Sequence, residues 1–284
     1  MRILLTNDDG ITSDGLWAAA RGLARIGHLT VIGTAEDWSG GSASIRLSYG
    51  ARLARFSDIP ADLGPNVEAY SLEAAPGGAI LTGLMTGLFA PFDLVASGAN
   101  YGINVGADLV HSGTLGAAVT GYQRGHTAFA ISAERGVARG EPQRWDVISD
   151  VSERVGRWLL DRTGPPILLN VNVPNRPFAE LLGARIVKPV TWGNLDRARL
   201  DARPEGEDAW RITASIIREV PYPSDPETDS GAVMGGYVAI SHVAPTGWAH
   251  EQAPHDLGQL IQSLTPVPDR ASIMRTPAGK EGAG

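Results

Sequence analysis

The first half of the chain alternates short apolar runs with stretches of helical spacing. Met1–Leu5 predicts a buried strand, and Asp14–Ile26 carries Leu16, Ala19, Ala20, Leu23 and Ile26 at helical intervals before Gly27 stops it. Leu29–Ile32 predicts a second strand. Gly77–Leu88 predicts a helix weakened by its glycines, and Asp93–Ala96 opens another buried strand. Ser112–Tyr122 has a helical pattern and Thr127–Ser132 a strand pattern. Strands that alternate with helices in this way imply a mostly parallel sheet covered on both faces, a three-layer α/β sandwich.

Beyond about residue 135 the texture changes. Trp145–Leu160 predicts an amphipathic helix with Val147, Val151, Val155, Trp158 and Leu159 on one side, and Ile167–Val173 a strand stopped by Pro174. Arg185–Val190 and Trp210–Val220 read as strands of a β-rich extension, Pro221–Ser230 as a loop and Gly236–Ser241 as one more strand. The chain thus divides into a core at 1–135, a part at 136–265 that completes the sheet, and a small, polar tail at 266–284 expected to be disordered.

Composition narrows the chemistry. The formal charge is −7, against the basic footprint that a general nucleic-acid binder needs, although a small phosphorylated substrate remains compatible if a cation supplies local positive charge. There is no cysteine, which excludes disulfides, thiolate catalysis and cysteine-based zinc sites. The N-terminus lacks a signal-peptide pattern and no apolar run reaches membrane-spanning length, so a cytoplasmic protein without a membrane partner is expected.

Three segments place oxygen-bearing side chains just after an apolar run: Asn7-Asp8-Asp9-Gly10, Asp37-Trp38-Ser39-Gly40-Gly41-Ser42, and Ser97-Gly98-Ala99-Asn100-Tyr101-Gly102-Ile103-Asn104. If the strands are parallel, these loops emerge at one carboxyl edge, where ligands of α/β sheets bind. Two adjacent acids at a buried strand end are costly unless something cationic neutralises them. An all-oxygen set of carboxylates, hydroxyl and amide carbonyl suits Mg²⁺, Mn²⁺ or Ca²⁺ and suits zinc poorly. A fourth segment, His111-Ser112-Gly113-Thr114-Leu115-Gly116, sits before a helix, where hydroxyls and unpaired N–H groups form a natural phosphate cradle. Cation and cradle together are the minimal apparatus for phosphoryl transfer to water.

The ordered set NDDG (7–10), SGGSAS (39–44), SGANYGINVG (97–106) and HSGTLGAA (111–118), followed by NVNVP (170–174) and ETDSGAVMGGYVAIS (227–241), resembles the survival-protein-E (SurE) family of 5′/3′-nucleotidases over roughly residues 1 to 260. The resemblance implies a Rossmann-like core and hydrolysis of nucleoside monophosphates to nucleoside and phosphate. It implies one divalent cation, Mg²⁺ or Mn²⁺, held by Asp8, Asp9, Ser39 and Asn100. It also implies homodimers or tetramers that exchange C-terminal segments, here the arm around 185–230 and a last helix near 256–264. On this reading Ser112, Gly113 and Thr114, with Ser39, Asn100 and Asn104, hold the phosphate. Asp9, beside Asp8, orients or deprotonates the attacking water, and attack by Asp9 itself through an aspartyl-phosphate is the other route.

The match is imperfect around the substrate. Where the family carries a basic approach to the serine, this chain has Ala35-Glu36-Asp37-Trp38-Ser39; Ala43 stands where asparagine is usual, Glu73-Ala74-Ala75-Pro76-Gly77-Gly78 replaces a Gly-Thr-Pro-x-Asp segment, and His111 replaces a tyrosine. These departures keep open a SurE-like phosphatase turned to a non-nucleotide phosphoester, or a ligand-binding protein without efficient hydrolysis. A receiver domain fits poorly because Asp93 precedes its strand, and a dinucleotide-binding oxidoreductase because NDDG replaces the glycine-rich turn.

Overall fold

The computed structural model describes residues 1–136, 140–206, 208–217 and 222–244. The expected tail at 266–284 and the last helix near 256–264 lie outside them. The first half of the chain forms β1 (Arg2–Thr6), α1 (Asp14–Leu23), β2 (His28–Thr34), β3 (Leu53–Arg55), β4 (Val67–Leu72), α2 (Pro76–Met85), β5 (Leu94–Tyr101), α3 (Gly113–Gln123) and β6 (Ala128–Ala133). There follow α4 (Trp145–Asp161), β7 (Leu168–Val173), β8 (Ala184–Ile186), β9 (Ala198–Pro204), β10 (Trp210–Ile216), α5 (Asp229–Met234) and β11 (Val238–His242).

The main sheet has nine strands in the order β3-β4-β2-β1-β5-β6-β7-β11-β8. From β4 to β7 every pairing is parallel. At the edges β3 runs antiparallel to β4, and β11 runs antiparallel to β7 and parallel to β8. The chain winds outward from β1 through β2 to β4, then returns to the other side of β1 as β5. That reversal makes the β1/β5 crevice a topological switch point, where open α/β sheets bind ligands beyond their carboxyl ends.

Side-chain alternation decides which helix covers which face. Ile3 and Leu5 of β1 pack with Leu16 and Leu23 of α1 and with Val147, Val151 and Leu159 of α4. Leu4 points the other way, into a cluster with Ile80 of α2 and with Leu115 and Ala118 of α3. Because both faces are covered, Ile3, Leu4 and Leu5 are all 0% exposed, and the strand reads as an unbroken apolar run instead of an alternating one.

Several elements differ from the sequence expectation. Helix α1 stops at Leu23, three residues early, because Arg25 and Ile26 donate to Gly22 and Leu23 in tightened three-residue turns. Strand β4 was not legible: its Glu68 argues against a buried strand, yet its carboxylate accepts hydrogen bonds from Thr30 (2.8 Å) on β2 and from Tyr70 (3.1 Å). Strand β8 ends at Ile186 and only an isolated bridge from Lys188 to Thr228 continues toward Val190. The expected loop Pro221–Ser230 runs into α5, whose first turn is capped by Thr228 through the N–H of Gly231. Of the expected Trp210–Val220 strand, β10 takes the part to Ile216; its partner β9 was not expected, and the two form a separate antiparallel ribbon. Among the described residues no helix is long and apolar enough to cross a membrane.

Candidate functional site

Beyond the carboxyl end of β1 the chain turns sharply through Asn7-Asp8-Asp9-Gly10. Asn7 is buried and its amide donates to the Gly10 carbonyl and to the Ser13 hydroxyl, both at 2.8 Å, which ties the turn to the cap of α1. Gly10 takes φ of +95°, a region that a β-carbon disfavours. Local bonding thus fixes the turn that carries Asp8 and Asp9.

The two acids face different surroundings. Asp8 is 3% exposed and lies against the N-terminus of α3. The Thr114 hydroxyl donates to Asp8 Oδ1 at 2.6 Å, and the Thr114 N–H also bonds the carboxylate. Gly113 must be glycine, because a β-carbon there would lie 2.7 Å from Asp8 Oδ2. Burial pushes the Asp8 carboxyl up to about 6; the Thr114 hydroxyl pulls it down and the neighbouring Asp9 charge pushes it further up. Asp9 is half-buried, and Asp9 Oδ2 accepts the Tyr101 N–H at 3.0 Å. Burial raises its pKa as well; the Tyr101 N–H opposes that shift, the nearby Asp37 charge adds to it, and Arg135 opposes it.

Ser39 and Asn100 reach this pair through their neighbours. The N–H of Trp38 donates to the Asp8 carbonyl at 2.7 Å, and Tyr101 makes the bond to Asp9, so each candidate is one residue from a direct contact. The Ser39 hydroxyl donates to Asp37 Oδ1 at 2.6 Å, and the Ser39 N–H bonds the same oxygen at 2.8 Å. Asn100 donates its amide to the Gly102 carbonyl at 2.6 Å. The Ser39 hydroxyl proton and one Asn100 amide N–H are thus engaged inside the protein, and both side chains keep oxygen lone pairs for a ligand.

The residues expected to cradle a phosphate form the floor of the site. The Ser112 hydroxyl accepts the Leu115 N–H as the cap of α3, and the 0%-exposed Thr114 is committed to Asp8. Asn104 donates to Thr114 Oγ1 (3.3 Å) and Ser132 Oγ (3.0 Å). Its N–H bonds Asn172 Oδ1, and its carbonyl accepts from Asn170 and Asn172. The asparagines of NVNVP on β7 are therefore the anchor of the Asn104 loop, a role that sequence reasoning did not give them. It also assigned nothing to Asp229, which is fully buried and accepts the N–H groups of Gly106, Val190 and Ser230. Arg135, beyond β6, was missed as well; its Nε donates to the Tyr101 carbonyl at 2.8 Å and its charge acts on Asp9. A lone arginine in a loop, or an aspartate that opens a six-residue helix, carries no periodic signal that would find it. His111 is exposed and contributes only its carbonyl, to the Ser42 N–H.

Fold and site together define an α/β protein with an acid-bearing, oxygen-rich site at the switch point of a parallel sheet. The family model described as Survival protein SurE matches residues 3–194, and the chain belongs to that family. It is 32% identical over 243 residues to the 5′-nucleotidase SurE of Dehalococcoides mccartyi, a match that covers 85% of this chain and 88% of the relative. It is 30% identical over 244 residues to the 5′/3′-nucleotidase SurE of Yersinia pestis, covering 85% and 89%. A crystal structure of the SurE protein from Aquifex aeolicus superposes with a TM-score of 0.70 over 91% of this chain and 100% of that one; at 24% identity it speaks to the fold.

Proposed function

We propose that this chain hydrolyses nucleoside 5′- and 3′-monophosphates to nucleoside and phosphate with the help of one divalent cation. The names of its relatives support the reaction. The observation that carries the cation is the pairing of Asp8 and Asp9 at a buried strand end, where both carboxyl pKa values are raised. The donor set fits a hard cation: Asp8, Asp9, the Ser39 hydroxyl and the Asn100 carbonyl all offer oxygen, which favours Mg²⁺ or Mn²⁺. Among the described residues no group of three or more His, Cys, Asp or Glu gathers.

When bound, the cation offsets the charge of the two acids and of the phosphoryl group. The rest falls to the chain. Asp9, half-open where Asp8 is sealed, accepts the proton of the attacking water as its oxygen bonds to phosphorus and the ester P–O bond breaks; the departing nucleoside oxygen takes a proton from solvent. Asp37 holds the Ser39 hydroxyl proton and so leaves the serine oxygen's lone pairs for a ligand. This gives an acid at position 37 a use that a phosphate contact would not. Ser112, Gly113 and Thr114 act through Asp8, the last two by contact and the first by capping α3. Asn104 steadies Thr114, and the phosphoryl contacts are assigned to Ser39, Asn100 and the guanidinium of Arg135.

The β9–β10 ribbon supports self-association. Its register places Leu200, Ala202 and Pro204 on one face with Trp210, Ile212 and Ala214. Leu200, Trp210 and Ile212 are 69%, 60% and 59% exposed, while Arg199, Asp201, Arg203 and Arg211 lie on the other face. An apolar ribbon face of this kind is what a second copy covers in a homodimer or tetramer. A cytoplasmic setting completes the reading. The test is a panel of nucleoside monophosphates and simple phosphoesters assayed with Mg²⁺, Mn²⁺ and a chelator. Release of phosphate that the chelator abolishes is expected; release that it leaves untouched refutes the cation, and no release from any substrate refutes the reaction.

A further inference from the structure

Beside the acid pair lies a cavity of about 250 Å³ lined by Ala35, Glu36, Trp38, Arg46, Tyr49, Leu72 and Glu73, among others. It opens at the carboxyl ends of β2 and β4, one strand away from the switch point, and Trp38 joins it to the site through its N–H bond to the Asp8 carbonyl. A cavity below the roughly 300–1,000 Å³ of sites that enclose a drug-sized ligand has room for one ring system. Its wall is aromatic: the Trp38 ring is half-buried, and the Arg46 guanidinium lies 5.2 Å from its centroid. Flat π-faces and guanidinium planes are the surfaces on which nucleobases stack without regard to sequence.

The loop that carries Arg46 is held in place. Ser42 and Arg46 are the non-glycine residues in the left-handed region among those described, at φ of 54° and 44°. Ser42 is fastened by its N–H to the His111 carbonyl and by its hydroxyl to the Val110 carbonyl, and the Ser44 carbonyl accepts the Gly77 N–H. Such backbone persists where surrounding bonds over-determine it, and it keeps Arg46 over the indole. Of the two carboxylates, Glu73 stands 3.9 Å from Arg52, whereas Glu36 has no hydrogen bond or ion pair among the described residues.

Resting on the nucleotidase reading, we propose that this cavity is the base subsite: the nucleobase stacks on Trp38 against Arg46, and Glu36 selects bases that present an amino group. Adenine, guanine and cytosine offer N–H donors to a carboxylate. Uracil presents a carbonyl oxygen at the position where cytosine carries its amino group, and a carboxylate facing that position repels it. Glu36, ill-suited to a phosphate, suits that edge.

The experiment compares kcat/KM for CMP and UMP, which differ at the amino position of the base, with ribose 5-phosphate as a baseless reference, all with Mg²⁺ or Mn²⁺. Wild type is expected to favour CMP over UMP by about fivefold or more, and Glu36→Gln to bring that ratio close to one. Trp38→Ala is expected to lower both nucleotides against ribose 5-phosphate by roughly tenfold, the size of one base–aromatic stack, while Trp38→Phe restores most of the difference. Equal use of CMP and UMP by wild type, or nucleotide preference over ribose 5-phosphate that survives Trp38→Ala, overturns the subsite and leaves the nucleotidase reading standing. Failure of wild type to cleave any of the three overturns the nucleotidase reading itself.

Discussion

Asp8→Asn should make the metal-free protein more stable at neutral pH, although it removes a proposed cation ligand. The Asp8 carboxyl moves from 3.8 to about 6 on folding, and about two pKa units correspond to roughly 3 kcal/mol. The sign follows from the order of titration. Below about pH 4 both folded and unfolded chains hold the proton and Asp8 costs nothing. As pH rises, the unfolded chain releases its proton first, so stability falls until the folded carboxyl has also ionised, above about pH 7. Asparagine removes this loss but keeps only one acceptor oxygen for the two bonds that Thr114 makes, which returns about 1 kcal/mol. A net gain of about 2 kcal/mol at pH 8 corresponds to a rise in Tm of roughly 4–8 °C for a domain of this size. Thermal unfolding in chelator at pH 4 and pH 8 measures it: the gain appears at pH 8 and vanishes at pH 4. With saturating divalent cation the order should reverse, because wild type then gains about 3 kcal/mol at a hundred times Kd. A variant less stable than wild type at pH 8 in chelator would refute the reasoning; it would show that the α3 N-terminus already compensates the buried charge in full.

Other expectations follow from single contacts. Asp9→Asn should cut hydrolysis by a thousandfold or more while circular dichroism and Tm stay near wild type, since Asp9 is half-open and its bond from Tyr101 survives as a bond to the amide oxygen; near-wild-type turnover would sink its role as proton acceptor. Gly113→Ala places a β-carbon 2.7 Å from Asp8 Oδ2, so calorimetric titration should show at least about tenfold weaker Mn²⁺ binding and a stability loss of roughly 1–2 kcal/mol. Ile212→Glu puts a charge on the apolar face of the β9–β10 ribbon, and light scattering should show the oligomer dissociating; a monomeric wild type would remove the ribbon's proposed purpose.

The parts of the fold that could be read in advance are those whose pattern is local. Strand β1, helix α1 and amphipathic α4 each carry their signal within their own residues. Strand β4 hid behind Glu68, whose charge is held by a residue 38 positions away. The short α5 hid inside a segment rich in proline and acid, because six residues are too few to show a period. The same limit governed the site. NDDG and HSGTLG announced themselves as strand-end and helix-start motifs, but the bonds by which Ser112 caps α3 and Thr114 grips Asp8 were not legible.

The amino-acid sequence alone determined that this is an α/β chain of the SurE pattern with paired acids after its first strand, because alternation, caps and short motifs are written in neighbouring residues. Only the tertiary structure decided how those acids are used. It turned the N-terminus of α3 onto Asp8, left Asp9 half-open, gave the Ser39 proton to Asp37 and hung the Asn104 loop on Asn170 and Asn172. The bonds to Asp8 and to the Asn104 loop have partners chosen by how strands and loops meet in space. The Ser39–Asp37 bond spans two residues, but Thr114 and Asp8 lie 106 positions apart and Asn104 and Asn172 lie 68 apart, and no local pattern can announce a partner at that distance.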